Sequence, residues 1–352
     1  MAKKILVVGP SWVGDMVMAQ SLFLTLRHTA PDCLIDVLAP AWSFPLLDRM
    51  PEVSNAIAMP LTHGEFGLSA RIQLGRQLRS EQYDQAIVLP NSWKSALAPF
   101  FAGIPMRTGF LGECRCGLLN DARQLDKSLL TMTVQRFVAL ALPKDARLPP
   151  AYPMPALIVE QAKQQAVIQK FGLTRSVAAP ATGRLTAYTP ALALCPGAEY
   201  GTAKRWPAGY YADVARQKLN QGWQVWLFGS DKDQAVAGQI NQMAGGLCTD
   251  FTGRTTLAEA VDLLSLADTV VTNDSGLMHV AAALNKTIIA LYGSSSPGFT
   301  PPLSTKAHIL SLNLICSPCF KRECPLYPPE HEAHTHCLTG IRPERVLELI
   351  AP

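Results

Sequence analysis

The sequence contains little that would tie it to a membrane, an oxidising compartment or a nucleic acid. It has no run of the ~20 apolar residues that a membrane-crossing helix needs. The richest stretch, 96–104, is short and broken by Pro99 and Gly103. The first apolar run stops at Gly9 and Pro10, too soon for the core of a secretory signal, so the expectation is a cytosolic chain. Nine cysteines are an odd number, which in such a chain argues against a disulfide framework. Excess charge is small: 31 Lys+Arg against 27 Asp+Glu leave +4. That is too mild to imply nucleic acid and is compatible with an anionic substrate or a loose contact with a membrane surface. A charged fraction of 16% beside 48% hydrophobic residues excludes extensive disorder. At 352 residues, two domains are expected rather than one.

Also lacking is the G-x-G-x-x-G spacing of a dinucleotide loop. Residues 9–15 read Gly-Pro-Ser-Trp-Val-Gly-Asp, and no acidic residue follows at a convincing strand end, which argues against a nicotinamide cofactor.

What is present is a repeated alternation. Buried-strand patterns at 5–8, 34–38 and 86–89 are separated by helical patterns such as 16–27 and 72–80. Prolines at 149, 150, 153 and 155 mark a break, a helix is expected over 156–171, and 174–190 reads as a linker. The alternation then resumes, with strands at 191–195, 224–228, 269–272 and 288–292 and helices at 210–220, 257–266 and 277–284. This predicts an α/β protein of two doubly wound domains, in which ligands bind at the carboxyl ends of strands.

Several of these strands run into polar loops. Thr272-Asn273-Asp274-Ser275-Gly276-Leu277-Met278-His279 opens a helix after a buried strand. Free N–H groups in a first helical turn suit phosphate, Gly276 permits close approach, and Ser275 offers a hydroxyl. Asp274 would repel phosphate, so it caps the helix or meets a sugar hydroxyl; simple capping by Asp274 or Ser275 is an equal alternative. His279 lies one turn further on, where a structural role is the commoner one. The loop 196–207 follows another strand and supplies Gly197, Glu199, Lys204 and Arg205, a cationic partner for a diphosphate or merely a solvated basic loop. Asp233, at a third strand end, is a candidate for a ribose, with a plain capped turn as its competitor. Asp15, at the turn after the first strand, can accept a proton from an attacking hydroxyl, or cap its helix.

Taken together, Ser11-Trp12-Val13-Gly14-Asp15-Met16, Pro196-Gly197-Ala198-Glu199-Tyr200-Gly201, Ala203-Lys204-Arg205-Trp206-Pro207 and Asn273-Asp274-Ser275-Gly276-Leu277-Met278-His279 resemble the lipopolysaccharide-core heptosyltransferases. The similarity runs from about residue 4 to about residue 302, including Leu89-Pro90-Asn91-Ser92 and Gly293-Ser294-Ser295-Ser296-Pro297. The resemblance implies a GT-B fold, two Rossmann-like domains facing across a cleft. An acceptor-binding domain is expected at 1–175 and an ADP-heptose-binding domain at 176–352, with a C-terminal helix able to pack back on the first domain. It implies inverting transfer of L-glycero-D-manno-heptose from ADP-heptose to the first heptose of a Kdo2–lipid A core, with no metal required for transfer. It makes Asp15 the general base. Gly197, Glu199, Lys204, Arg205, Asp233, Asp274, Ser275, Gly276 and His279 become donor-binding candidates. Ser11, Trp12, Asn91, Ser92, Lys94, Arg107 and Arg115 become acceptor-binding candidates for Kdo carboxylates or core phosphates, although solvated surface charge competes for some. The lipid acceptor implies work at the cytoplasmic face of the inner membrane, as a peripheral protein and without nucleic acid. Alternatives are another nucleotide-sugar enzyme on the same fold, such as an epimerase with His279 as a second acid/base, or a non-catalytic nucleotide-binding module.

Beyond the resemblance, Cys316, Cys319, Cys324 and Cys337 form C-x2-C-x4-C-x12-C within a loop over 316–337. Four thiolates at loop spacing can hold a structural zinc, or an iron–sulfur cluster; reduced thiols in a Pro-rich loop are the equal alternative.

Overall fold

A computed structural model, describing residues 2–61, 65–173 and 189–350, divides the chain into two compact units, Met1–Leu157 and Ile158–Pro352. In the first unit the strands are β1 (Lys4–Val8), β2 (Leu34–Ala39), β3 (Asn55–Ala58), β4 (Gln85–Val88), β5 (Met106–Phe110) and β6 (Asp121–Arg123). Helices α1 (Val13–Thr29), α2 (Phe44–Leu47), α3 (Leu68–Leu78), α4 (Leu97–Phe101) and α5 (Thr133–Ala141) connect and cover them. The sheet order is β3-β2-β1-β4-β5-β6, all parallel. Central strands in such a sheet are shielded on both faces, which is why β1 and β4 read as continuous apolar runs. On one face Leu6, Val88 and Ala86 form a core with Leu74 and Leu78 of α3 and Ala98 of α4. Elsewhere in the unit α1 packs on α5.

The second unit begins with α6 (Gln161–Phe171). It then alternates β7 (Ala191–Cys195), α7 (Ala208–Asn220), β8 (Gln224–Leu227), α8 (Gln234–Met243), β9 (Thr249–Asp250), α9 (Leu257–Leu266), β10 (Thr269–Asn273), α10 (Gly276–Ala283), β11 (Thr287–Tyr292) and β12 (Ala307–Ser311). Short helices α11 (His336–Thr339) and α12 (Pro343–Leu347) end it. Its parallel sheet has the order β12-β11-β10-β7-β8-β9. Counted from each unit's own first strand, both sheets read 3-2-1-4-5-6. This is the two-domain α/β architecture, GT-B, that the resemblance implies. The strand order reverses between β1 and β4 in one unit and between β7 and β10 in the other. At such a point neighbouring loops leave in opposite directions, and a crevice opens at the carboxyl ends.

Several expectations differ from what is found. The boundary expected after residue 175 lies outside the described residues, as does the expected linker except for Thr189 and Pro190. The compact units instead divide between Leu157 and Ile158, because α6 packs on α9. Gln164 Nε2 donates to Ser265 Oγ at 2.7 Å, Lys170 pairs with Glu259 at 2.6 Å, and the Phe171 ring lies 5.1 Å from that of Phe251. That helix starts at Gln161 rather than 156. The C-terminal helix α12 lies against α7, with Val346 and Ile350 buried in the second unit's core. The outer strands β3, β5, β6, β9 and β12 carry no buried apolar run and gave no strand signal in the sequence. For example, β5 is Met-Arg-Thr-Gly-Phe and β6 is Asp-Ala-Arg.

Candidate active-site residues at the strand ends

In the second unit, Asn273 closes β10 and is fully buried. Its amide donates to the Pro196 carbonyl at 2.8 Å, and its Oδ1 accepts from the Trp206 N–H at 3.0 Å and the Tyr211 hydroxyl at 3.2 Å. Pro196 and Trp206 bound the basic loop, so one side chain pins both ends of that loop to the neighbouring strand. The indole N–H of buried Trp206 donates to Ile341 O at 2.8 Å and fixes the far end again.

Between those pins, Lys204 Nζ donates to Asp274 Oδ2 at 2.5 Å, joining the β7 loop to the β10 loop. Asp274 is buried, and this pairing replaces the expected helix cap. Ser275 occupies the N-cap position of α10, yet its side chain makes no capping bond; its hydroxyl lies 3.2 Å from Thr272 Oγ1. With Ser275 and Gly276 partly exposed, the leading turn of α10 carries no side-chain cap and suits an incoming anion. His279 is buried and its Nδ1 has no hydrogen-bond partner. Burial pushes the imidazole down to about 4, against the charge of Asp274 and with that of Lys204, so the ring is neutral near pH 7. The buried hydroxyls of Ser294 and Ser295, just past β11, also lack partners.

Two other candidates are bound into the turns themselves. Asp233 Oδ2 accepts from Ser230 N at 3.0 Å and from Ser230 Oγ at 2.8 Å, forming a capped turn, while Oδ1 lies 3.8 Å from Arg205 Nη2. A Cβ at Gly197 would come within 2.6 Å of that carboxylate, so the backbone there runs close against Asp233. Glu199 forms an exposed pair with Lys232.

In the first unit, a cavity of ≈ 340 Å³ opens beside the ends of β1, β2 and β4, lined by Ser11, Asn91, Ser92, Lys94 and Arg71 among others. Asp15 sits half-buried in the first turn of α1, where the unpaired N–H groups of a helix favour negative charge. Trp12, at the N-cap, is exposed. Two of the acceptor-binding candidates make other contacts. Arg115 is fully buried, and its guanidinium donates to Pro90 O at 2.6 Å, Asn91 Oδ1 at 3.1 Å and Phe110 O at 3.0 Å. It shapes the Asn91–Ser92 loop rather than meeting solvent anions. Arg107 lies at the amino end of β5, away from the carboxyl-end cavity, and donates to Leu118 O and Ile104 O, both at 2.6 Å. Sequence reasoning missed Arg71, which carries no motif, and Asn273, whose bonds reach 62 to 77 residues away.

The nine cysteines are free. Cys316, Cys319, Cys324 and Cys337 line one cavity of ≈ 190 Å³. Among the described residues, no three His, Cys, Asp or Glu side chains are gathered closely enough to hold a metal ion as they stand. Burial pushes the Cys337 thiol up to about 11, and the other three cysteines add to it. Among the described residues, no helix is long and apolar enough to cross a membrane.

Residues 71–329 match the family model of glycosyltransferase family 9 (heptosyltransferase). The chain is 47% identical to lipopolysaccharide heptosyltransferase 2 of Escherichia coli, over 98% of this chain and 97% of that protein. It is 51% identical to lipooligosaccharide heptosyltransferase 2 of Haemophilus influenzae, over 88% of each. The solved structure of E. coli ADP-heptose lipopolysaccharide heptosyltransferase II matches with a TM-score of 0.82 at 45% identity, covering 98% and 97% of the two chains.

The buried His279 makes a testable demand on stability. The unfolded chain takes up a proton near pH 6.5, the folded chain only near 4, so acidification through that window favours unfolding. Between pH 7 and pH 5 this residue alone should remove about 2 kcal/mol, at 1.36 kcal/mol per pKa unit. Urea unfolding at the two pH values should therefore show a smaller loss in His279→Gln than in the parent; equal losses would mean that the ring is not held neutral.

Proposed function

The chain belongs to glycosyltransferase family 9, the heptosyltransferases, and on that footing we propose that it transfers heptose from ADP-heptose to the first heptose of a Kdo2–lipid A inner core. The observation that carries this reading is the likeness at 47% identity along 98% of the chain. An epimerase or a non-catalytic module is not favoured, since relatives this similar over this length are named as transferases.

The chemistry assigned to these residues is a single displacement. The acceptor hydroxyl gives its proton to the Asp15 carboxylate as its oxygen attacks the anomeric carbon. The bond from that carbon to the diphosphate oxygen breaks, and ADP leaves with the electron pair. One substitution inverts the centre. Negative charge grows on the departing diphosphate, and stabilisation aimed at developing charge lowers the barrier most. The Lys204 ammonium, the Ser275 hydroxyl and the N–H groups opening α10 are suited to receive it. These groups supply positive charge at the diphosphate without a metal ion. Neutral His279 adds no charge of its own. Ser11, Asn91, Ser92 and Lys94, beside the first-unit cavity, are assigned to the acceptor, with Arg115 and Arg71 as supports for those loops. A lipid-bearing acceptor of this kind places the enzyme peripherally at the cytoplasmic face of the inner membrane.

Mass spectrometry of the purified protein with ADP-heptose and a monoheptosylated Kdo2–lipid A acceptor should show one added heptose. Sugar altered in the absence of acceptor would favour the epimerase instead. Asp15→Ala should lower turnover by roughly 100-fold or more while ADP binding is retained; undiminished turnover would remove Asp15 from the mechanism.

A further inference from the structure

The segment between β12 and α11 contains no helix or strand, and Ile315, Phe320 and Leu326 in it are exposed. Such a stretch has little packing of its own to hold it, and long irregular loops of this kind are commonly functional. It is nevertheless bonded closely to the crevice described above. The Tyr200 hydroxyl donates to Phe320 O at 2.7 Å, Ala203 N donates to Arg322 O at 3.0 Å, and Phe320 N donates to Ser294 O at 2.7 Å. The Ser317 hydroxyl donates to Gly293 O. The ammonium of Lys204 and the guanidinium of Arg322 lie 5.2 Å and 5.5 Å from the centre of the Tyr200 ring. Any side chain at Gly201 would collide with the Arg322 backbone. Phe320 and Arg322, which make the contacts to the Lys204 loop, lie between Cys319 and Cys324.

Cross-links are what would fix such a segment, and four cysteines are at hand. They line one ≈ 190 Å³ cavity whose wall also includes Ala203 and Ser294. Four thiols lining one cavity present the sulfur donor set that a thiophilic metal takes.

We propose that Cys316, Cys319, Cys324 and Cys337 bind a thiophilic transition-metal centre, zinc or an iron–sulfur cluster, and that this centre braces the loop carrying Lys204. Binding replaces four S–H bonds by four sulfur–metal bonds and releases four protons to solvent. The metal half of the proposal is independent of the reading of the donor site; the bracing half rests on it.

The test uses the full chain, purified reduced and without added chelator. Elemental analysis should find about one zinc per chain, or iron with acid-labile sulfide and a visible absorption band, and these two results distinguish the sources. The metal should be lost in Cys319→Ser and in Cys324→Ser and kept in Cys114→Ser. Stripping the parent protein with a chelator should weaken ADP binding about tenfold by loss of preorganisation, and restoring the metal should recover it. That cycle stands even if the serine variants fold poorly. Protein that neither contains nor takes up zinc or iron would overturn the centre. Metal removal that leaves the ADP affinity unchanged would overturn the bracing. A metal-loaded protein that binds no ADP in any form would count against the donor reading and leave the centre standing.

Discussion

The ammonium of Lys204 and the carboxylate of Asp274, 2.5 Å apart with the carboxylate buried, join the two loops that diverge at the second unit's switch point. A pair so placed contributes little net stability, since removing both charges from water costs about as much as their attraction returns. What it fixes is position. Parallel pairing sets β7 beside β10, Asn273 pins Pro196 and Trp206, and the ion pair then locates the one lysine of that loop near the uncapped start of α10. The donor chemistry proposed for this unit depends on that sequence of constraints.

The first unit obeys the same geometric rule with different residues. Its strand order is identical, and its cavity again lies where β1 and β4 end. Here the loop is shaped by a buried guanidinium instead of an amide: Arg115 gathers Pro90, Asn91 and Phe110 as Asn273 gathers Pro196, Trp206 and Tyr211. Each buried polar group is satisfied by the backbone and side-chain groups it positions, the condition under which burying it is tolerable. One topology, repeated, thus offers a carboxylate in one unit and an anion-binding turn in the other.

Much of this was legible in the sequence because central parallel strands are buried on both faces and end at Gly, Pro or Asp. The runs ending at Gly9, Pro90, Pro196 and Asp274 therefore marked the strand ends directly. Edge strands were not legible, since β12 and β6 share few apolar positions with a buried run. Nor could a sequence separate Arg115, whose guanidinium faces carbonyls, from a solvated cation; the distinction lies in contacts as many as 25 residues away. Asp233 sits in the capped turn that the sequence offered as the competitor to a ribose contact: its partner is only three residues away, and capping competes with ligand binding for the same oxygens. The division of the units was hidden because α6 joins the second through Ser265 and Glu259, roughly a hundred residues further along. The bonds from Tyr200 to Phe320 and from Ala203 to Arg322 are of the same long-range kind.

The account turns on Lys204 acting where Asp274 holds it. The direct test is a double-mutant cycle on ADP affinity, using Lys204→Gln, Asp274→Asn and the pair, measured by titration calorimetry. Each single change should weaken binding, and the double should be little worse than the weaker single, giving a coupling of roughly 0.5–3 kcal/mol. Additive losses, or an Asp274→Asn variant that binds ADP as well as the parent, would contradict it.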